Sequence, residues 1–270
     1  MVTFLNTLLS ALLVVSLGLN SSAAAAERFD HVVVFGDSLS DTGNAGRFSN
    51  GPVWVEQLAD QLGLKVRPSQ LGGSNYAVGG ALLDPRSGPH SLRAQADLYL
   101  AKPREDRHIL YIVFGGGNDL LAVSYDQQPE AVVDTAAASL KSIVADLAAS
   151  GATDILVPNL PDVGMTPAIR AMGSRGAGEA ARLTLRFNRA VDDALADLVS
   201  RHELRIHRLD VHAMGERATA DPAAFGFVDV TTPCISLWSC EGYLFWDSVH
   251  PTTRAHGRLA EAALALVLVR

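Results

Sequence analysis

Long runs of basic residues are absent from this sequence, and cysteine occurs only twice. The chain has 22 lysines and arginines against 29 aspartates and glutamates, which gives a formal net charge of −7 at pH 7. An acidic chain without a basic cluster lacks the electrostatic signature of a nucleic-acid-binding surface, so we expect no nucleic-acid partner. No internal repeat or low-complexity linker divides the 270 residues, 48% of which are apolar, and a single α/β domain over residues 27–270 is the simplest organisation.

The two cysteines, Cys234 and Cys240, lie close together in the segment CISLWSC. No histidine accompanies them at a spacing suited to zinc, which argues against a structural metal site. In an exported protein, such a short separation favours a local disulfide that holds the loop before Asp247. Two buried thiols are the alternative.

Charged side chains are also absent from residues 1–26. The apolar segment LLSALLVVSLGL, from Leu8 to Leu19, is followed by Asn20, two serines and four alanines. Because this segment is too short to span a bilayer comfortably and ends in small residues, it is typical of a secretory signal peptide cleaved near Ala26. No Lys or Arg precedes it, so an uncleaved membrane anchor or an exposed apolar arm is the alternative. We expect the protein to be exported, either to the periplasm or out of the cell.

Hydrophobic periodicity predicts strands that alternate with helices. Strands are predicted at His31–Phe35, Leu64–Arg67, Ile109–Phe114, Asp154–Pro158 and Leu204–Leu209, of which the first and third are apolar runs rich in β-branched residues. Apolar residues at helical spacing predict helices over Glu130–Ser150 and Ala180–Val199, and a last helix from about Thr252. This alternation implies right-handed crossovers and a parallel sheet covered on both faces, with the carboxyl ends of the strands at one edge.

A serine follows the first predicted strand, in VVVFGDSLSDTGN. Gly36 and Asp37 break that strand, so Ser38 is expected at the sheet edge where open α/β sheets bind ligands. A serine hydroxyl becomes a useful nucleophile when an imidazole takes its proton and a carboxylate orients the imidazole. In DSVHPT near the C-terminus, Asp247 and His250 supply these two groups. Taken separately, the serine also fits a helix N-cap or a phosphate-binding turn, and the Asp-His pair also fits a surface loop ahead of a helix.

Two Gly-rich turns carry hydrogen-bond donors suited to a negatively charged oxygen. In NYAVGGALL, the N–H of Gly80 or Gly79 can face a substrate, because glycine lets the backbone approach closely. In LYIVFGGGNDL, an apolar strand runs into three glycines and then Asn118, whose side-chain amide can donate. Acyl transfer needs such donors where the substrate carbonyl becomes an oxyanion. Each turn alone is also typical of an ordinary strand-to-helix connection.

The blocks FGDSLSDTGN, NYAVGGA, GGGND and DSVHPT occur in this order along the chain. With them, the sequence resembles the GDSL family of the SGNH hydrolase superfamily. The segments GRFSNGPVWVEQLA and VPNLPDVGMTP resemble its secreted lipase and esterase branch, which includes plant GDSL lipases and the passenger domains of bacterial esterase autotransporters. The resemblance extends from about Phe29 to the C-terminus. It implies a three-layer α/β/α sandwich with a flavodoxin-like parallel sheet of about five strands.

The resemblance also implies roles for individual residues. Ser38 is the expected nucleophile, and Asp247 and His250 complete a Ser-His-Asp triad that works through an acyl-enzyme without a cofactor or metal ion. The expected function is that of an exported carboxylic-ester hydrolase, an esterase or lipase acting on a small-molecule or lipid ester, with transient contact with a lipid surface. Two alternatives are an acyltransferase with the same site and a non-catalytic, anion-binding flavodoxin-like module.

The expected oxyanion hole also follows from the resemblance. It consists of the backbone N–H groups of Ser38 and Gly80 together with the side chain of Asn118. The glycine of the family's block can be aligned with either Gly79 or Gly80, which differ by one position. Gly80 is preferred because it keeps the family's spacing from Asn75.

Overall fold

The computed structural model describes residues 29–85, 88–102, 108–123, 128–201 and 203–269. The predicted signal peptide, residues 1–26, lies outside these ranges, and its cleavage stays a prediction. The single domain over residues 27–270 likewise stays a prediction. Within the described ranges, no helix combines the length and apolar character that a membrane crossing requires.

The central sheet is parallel, and the order of its strands follows the order of the sequence. Its strands are β1 (His31–Gly36), β2 (Ile109–Phe114), β3 (Asp154–Pro158) and β4 (Arg205–Leu209). All six residues of β2 are buried, as expected for a strand covered by helices on both faces. The register pairs Gly36 with Phe114 and Pro158 with Leu209, so the carboxyl ends of the strands form one edge.

The prediction of a strand at Leu64–Arg67 is wrong. Residues 74–78 instead run beside β1, where they form backbone hydrogen bonds with Val34 and Gly36. This extra segment on the outer side of β1 gives the sheet a flavodoxin-like order. The prediction failed because half-buried and exposed residues alternate in Leu64–Arg67, as they do in an amphipathic strand. The segment does not pair with β1 and instead lies beyond residues 74–78, where the Asn75 N–H donates to the carbonyl oxygen of Arg67.

Helices cover the sheet on both faces. The α-helices are α1 (Trp54–Gln61), α2 (Leu92–Leu100), α3 (Gly117–Ala122), α4 (Pro129–Ala149), α5 (Pro167–Arg170), α6 (Ser174–Val199), α7 (Val211–Ala220) and α8 (Thr253–Leu268). The helices predicted from apolar spacing are α4, α6 and α8, and α6 begins earlier than predicted. Helix α4 packs against α6, and α1 packs against α8. The expected α/β/α layering is thereby confirmed.

Two short strands that the sequence analysis did not anticipate form a second parallel sheet, β5 (Asp229–Pro233) and β6 (Tyr243–Phe245). The predicted disulfide between Cys234 and Cys240 is confirmed, and it closes the loop between these strands. The Cys234 N–H also donates to the carbonyl oxygen of Phe245. Because Asp247 and His250 follow directly, the small sheet and the disulfide position the loop that carries them.

Candidate active site

Ser38 lies in the turn after β1, at the carboxyl edge of the sheet. Asp37 organises this turn, since its side chain accepts the Leu39 N–H at 3.0 Å. The carbonyl oxygen of Asp37 accepts the N–H groups of Ser40 and Asp41, each at 3.0 Å. Ser38 is 7% exposed, so its hydroxyl is held in a defined position with a small opening to the surface.

Three predicted side chains from the two ends of the chain meet at this edge. Ser38 Oγ lies 2.9 Å from His250 Nε2, and His250 Nδ1 lies 2.7 Å from Asp247 Oδ2. Both distances are within hydrogen-bonding range. Because Nδ1 faces a carboxylate, it carries the imidazole proton, which leaves Nε2 free to accept the proton of the Ser38 hydroxyl.

The second carboxylate oxygen of Asp247 is fixed by the backbone. Its Oδ1 accepts the N–H groups of Val249 at 2.8 Å and of His250 at 2.6 Å. Partial burial by itself raises the pKa of Asp247, but these N–H groups and the imidazole outweigh it and hold the pKa below its ordinary value. The Asp247 carboxylate is therefore ionised at neutral pH. The spacing of Asp-x-x-His lets one carboxylate cap the turn and orient the ring.

His250 is held by its own loop and by a ring from the N-terminal half. The Trp246 N–H donates to the carbonyl oxygen of His250 at 2.8 Å. Thr252, the N-cap of α8, donates its hydroxyl to the carbonyl oxygen of Tyr243 at 2.7 Å. The Phe48 ring centroid lies 5.2 Å from that of the imidazole. The imidazole therefore has little freedom to leave Ser38.

Gly79 and Gly80 have different environments. The Gly79 N–H donates to Asp41 Oδ2 at 2.8 Å, so it is already used, and a Cβ at Gly79 would collide with the Phe48 ring. The Gly80 N–H has no acceptor among the described residues. Its φ of +78° lies in the left-handed region that favours glycine. The geometry therefore favours Gly80 over Gly79 as a donor to substrate.

Asn118 is in the first turn of α3 and lines the same cavity as Ser38. Its Nδ2 donates to the carbonyl oxygen of Ala81 at 3.0 Å, which leaves a second amide proton. Because Ala81 follows Gly80, this contact ties Asn118 to the turn that carries the free Gly80 N–H. The Ser38 N–H also lacks an acceptor within the part of the chain that the structure describes.

Three polar residues that the sequence analysis left without a role hold these turns together. Asp41 accepts the Asn44 N–H at 2.7 Å in addition to that of Gly79. Asn75 donates to the carbonyl oxygen of Ser40 at 2.6 Å, and Asn44 donates to that of Asn75 at 2.8 Å. They are positioning residues for the turn that carries Ser38. Their position inside the same blocks as the predicted site residues was the available signal.

Two further carboxyl groups are buried beside the site. Burial raises the pKa of Asp37 to about 7 against the opposing Leu39 N–H, and the nearby Asp119 raises it further. Burial likewise raises the pKa of Asp119 to about 6, although the Leu83 N–H opposes this. Near neutral pH these groups are partly protonated, which limits the negative charge beside Ser38. Among the described residues, no cluster of His, Cys, Asp or Glu has the arrangement of a metal site.

Residues 32–263 match the family model described as GDSL-like Lipase/Acylhydrolase. Among curated proteins, Lipase 1 from Photorhabdus luminescens is 26% identical over 92% of this chain, which spans 51% of that protein. The phosphatidylcholine-sterol acyltransferase from Aeromonas hydrophila is 26% identical over 91% of this chain and is covered over 92% of its own length. The chain thus spans about half of the first relative and nearly all of the second.

The fold is shared with solved structures of low sequence identity. A crystal structure of an acetylxylan esterase from Geobacillus stearothermophilus superposes with a TM-score of 0.56 at 18% identity, covering 89% of this chain and 96% of that chain. A member of the lipolytic protein G-D-S-L family from Veillonella parvula superposes with a TM-score of 0.51 at 15% identity, covering 87% and 97% respectively. These likenesses agree with the expected SGNH hydrolase fold.

Proposed function

Since the chain belongs to the GDSL-like lipase/acylhydrolase family, we propose that it is an exported carboxylic-ester hydrolase that works through an acyl-enzyme on Ser38. One observation carries the proposal. An uninterrupted hydrogen-bond chain runs from Ser38 Oγ through His250 to Asp247, at 2.9 and 2.7 Å. A hydroxyl, an imidazole and an ionised carboxylate in this order supply a nucleophile with its base and the group that orients the base.

The reaction proceeds in two halves. In the first, Ser38 Oγ bonds to the ester carbonyl carbon while its proton moves to His250 Nε2 and the carbonyl π electrons move onto oxygen. Collapse of this tetrahedral intermediate breaks the bond to the alcohol oxygen, and His250 returns the proton to the leaving alcohol. In the second half, water attacks the acyl-Ser38 ester with the same proton transfers and releases the acid. Asp247 stays ionised and stabilises the imidazolium in both halves.

The oxyanion of each intermediate is proposed to accept hydrogen bonds from the Ser38 N–H, the Gly80 N–H and Asn118 Nδ2. The two backbone donors are supported by their lack of acceptors among the described residues. Asn118 is supported by its place in the wall of the cavity that also contains Ser38, and by its contact with Ala81 beside Gly80.

Asn118→Ala is expected to lower kcat by about 10²- to 10³-fold with a small change in KM, because the lost donor acts on charge that exists only in the transition state. Steady-state kinetics with p-nitrophenyl butyrate give both constants, and a thermal melt reports the fold. Asn118→Asp, which has a similar shape but lacks the amide donor and adds a negative charge, is expected to show at least the same loss. A wild-type kcat in both variants would remove Asn118 from the oxyanion hole.

Transfer of the acyl group to an alcohol is a second candidate function. It is favoured by the match over 91% of the chain to a relative named phosphatidylcholine-sterol acyltransferase. The catalytic residues would be the same, and the attacking oxygen would come from an alcohol in place of water.

Product analysis separates the two functions. Purified protein is given an ester with and without an added long-chain alcohol, and the free acid and new ester are quantified. Hydrolysis predicts that free acid dominates in both mixtures. A new ester as the main product would identify a transferase, and no turnover of any ester would favour the non-catalytic module.

Export is proposed on the uncharged, apolar sequence of residues 1–26. N-terminal sequencing of the exported protein is expected to begin near Glu27, and an intact Met1 would contradict cleavage. Transient contact with a lipid surface is supported by the disulfide-closed loop, in which Ile235, Leu237 and Trp238 are exposed. Large apolar side chains presented together to solvent are typical of interaction surfaces.

A further inference from the structure

A cavity of about 170 Å³ opens from the Ser38–His250 pair into the protein. Its wall is built from the loops after the central strands, from α7 and α8, and from the small sheet. Most of the lining side chains are apolar, including Leu160, Met165, Val211, Ala218, Phe227 and Phe245. A cavity of this character favours an apolar occupant, because burial away from water is favourable for each methylene.

Apart from the proposed catalytic and oxyanion-hole residues, three polar side chains of this wall already form hydrogen bonds within the protein. Thr166 donates its hydroxyl to the carbonyl oxygen of Val163 at 2.8 Å, and Thr219 donates to that of Gly215 at 2.9 Å. Asp162 accepts the N–H of the nearby Gly164 at 2.8 Å. Because the hydroxyl protons of Thr166 and Thr219 are already used and the Asp162 carboxylate has none, these side chains offer no hydrogen-bond donor to a hydroxylated or anionic occupant, which would lose hydration on entry.

Met214, Phe225 and Arg258 lie between this cavity and a second pocket. These three residues line both this cavity and a separate pocket on the other side, so they form a partition between the two. The partition is fixed, because Arg258 Nε donates to the carbonyl oxygen of Phe225 at 3.1 Å and Arg258 Nη1 pairs with Glu261 at 2.8 Å. These side chains therefore limit the cavity on the side that faces the second pocket.

We propose that this cavity binds the acyl chain of the substrate, and that the substrates are esters of linear, apolar, medium-length acids. The inference rests on the proposed function, because the carbonyl carbon has to reach Ser38 Oγ. A volume of about 170 Å³ has room for on the order of ten water-sized groups, and a methylene is of comparable size. An acetyl group would leave most of this space unused.

Gly215 offers a direct way to shorten the cavity. It lies in α7 and lines the cavity, and a Cβ placed there meets no atom within 4 Å. The backbone there accepts a Cβ without a collision, and the larger side chain of leucine is expected to extend into the space proposed for the acyl chain. Gly178, in α6, is a matched control, because a Cβ there also meets no atom within 4 Å and this glycine does not line the cavity.

The experiment compares kcat/KM for p-nitrophenyl acetate, butyrate, octanoate and dodecanoate in the wild type and three variants. In the wild type, each added methylene that enters the cavity is expected to raise kcat/KM by up to about fourfold, which makes octanoate up to about 250-fold better than butyrate. Gly215→Leu is expected to lower the octanoate-to-butyrate ratio at least about tenfold, whereas Gly178→Leu keeps it. Met214→Ala opens the partition and is expected to raise the dodecanoate-to-octanoate ratio of kcat/KM by about tenfold.

The outcomes distinguish this inference from the function on which it rests. If the wild type hydrolyses no ester of any length, the proposed function fails. If esters are hydrolysed but the chain-length profiles of Gly215→Leu and Met214→Ala both match the wild type, only the acyl-chain assignment is overturned. Thermal melts accompany each assay. If Gly215→Leu fails to fold, the dodecanoate-to-octanoate ratio of Met214→Ala alone tests the acyl-chain assignment.

Discussion

Ser38→Ala is expected to lower kcat for p-nitrophenyl butyrate by about 10⁶-fold, since without Oγ the enzyme has no atom to receive the acyl group. The fold is expected to be unchanged. Ser38 Oγ has His250 as its hydrogen-bond partner, and the substitution removes one oxygen from a turn held by Asp37. The measurement is kcat at saturating substrate, with a thermal melt of the same preparation.

Ser40→Ala is the matched control for this variant. Ser40 lies in the same turn and is fully buried, but its Oγ accepts the Trp54 indole N–H at 3.0 Å and does not contact His250. Its removal leaves a buried donor without a partner and is expected to cost about 1–3 kcal/mol of stability while kcat stays near that of the wild type. Activity of Ser38→Ala within tenfold of the wild type would reject Ser38 as the nucleophile.

The second large effect is expected for Asp247→Asn, which should lower kcat by about 10⁴-fold. The asparagine amide group would face His250 Nδ1 and force the imidazole into the tautomer with its proton on Nε2. That nitrogen can then no longer accept the proton of Ser38. The loss is smaller than for Ser38→Ala, because the carboxylate orients and stabilises the base and does not itself react.

Asp229→Asn separates this effect from the loss of a turn. Asp229 also accepts two backbone N–H groups, those of Thr231 at 2.7 Å and Thr232 at 2.8 Å. Burial acts to raise the pKa of Asp229, but these hydrogen bonds outweigh it and lower the pKa. Both variants are therefore expected to lose stability above the unfolded-state pKa, and only Asp247→Asn should lose activity. Equal kcat in the two variants would contradict an orienting role for Asp247.

The sequence was sufficient to predict the strands and helices that have strong local periodicity. The central strands β1, β2 and β3 begin where their apolar runs begin, and the apolar stripes of α4 and α6 predicted those helices. It was insufficient where tertiary contacts decide the structure. Strand β5, with the sequence DVTTP, has little apolar character, and its strand conformation depends on pairing with β6.

The candidate site shows the same division. Ser38 was expected at the sheet edge because a strand ends just before it, but 212 positions separate it from His250. No local pattern predicts that contact, which followed only from the family resemblance. The preference for Gly80 over Gly79 came from the family's spacing, and the structure adds that the Gly79 N–H already donates to the Asp41 carboxylate, which the sequence alone does not show. The acyl cavity is built from several separate segments, so no single motif indicates it.

The central claim is that the Ser38 hydroxyl is the activated nucleophile. It is tested most directly by treating the purified protein with a fluorophosphonate, digesting it and locating the adduct by mass spectrometry. The account predicts one phosphonyl group per protein, on the peptide that contains Ser38, with activity lost in proportion to labelling and with much slower labelling of Asp247→Asn. An active protein that stays unlabelled, or one that loses activity through an adduct on another residue, would contradict it.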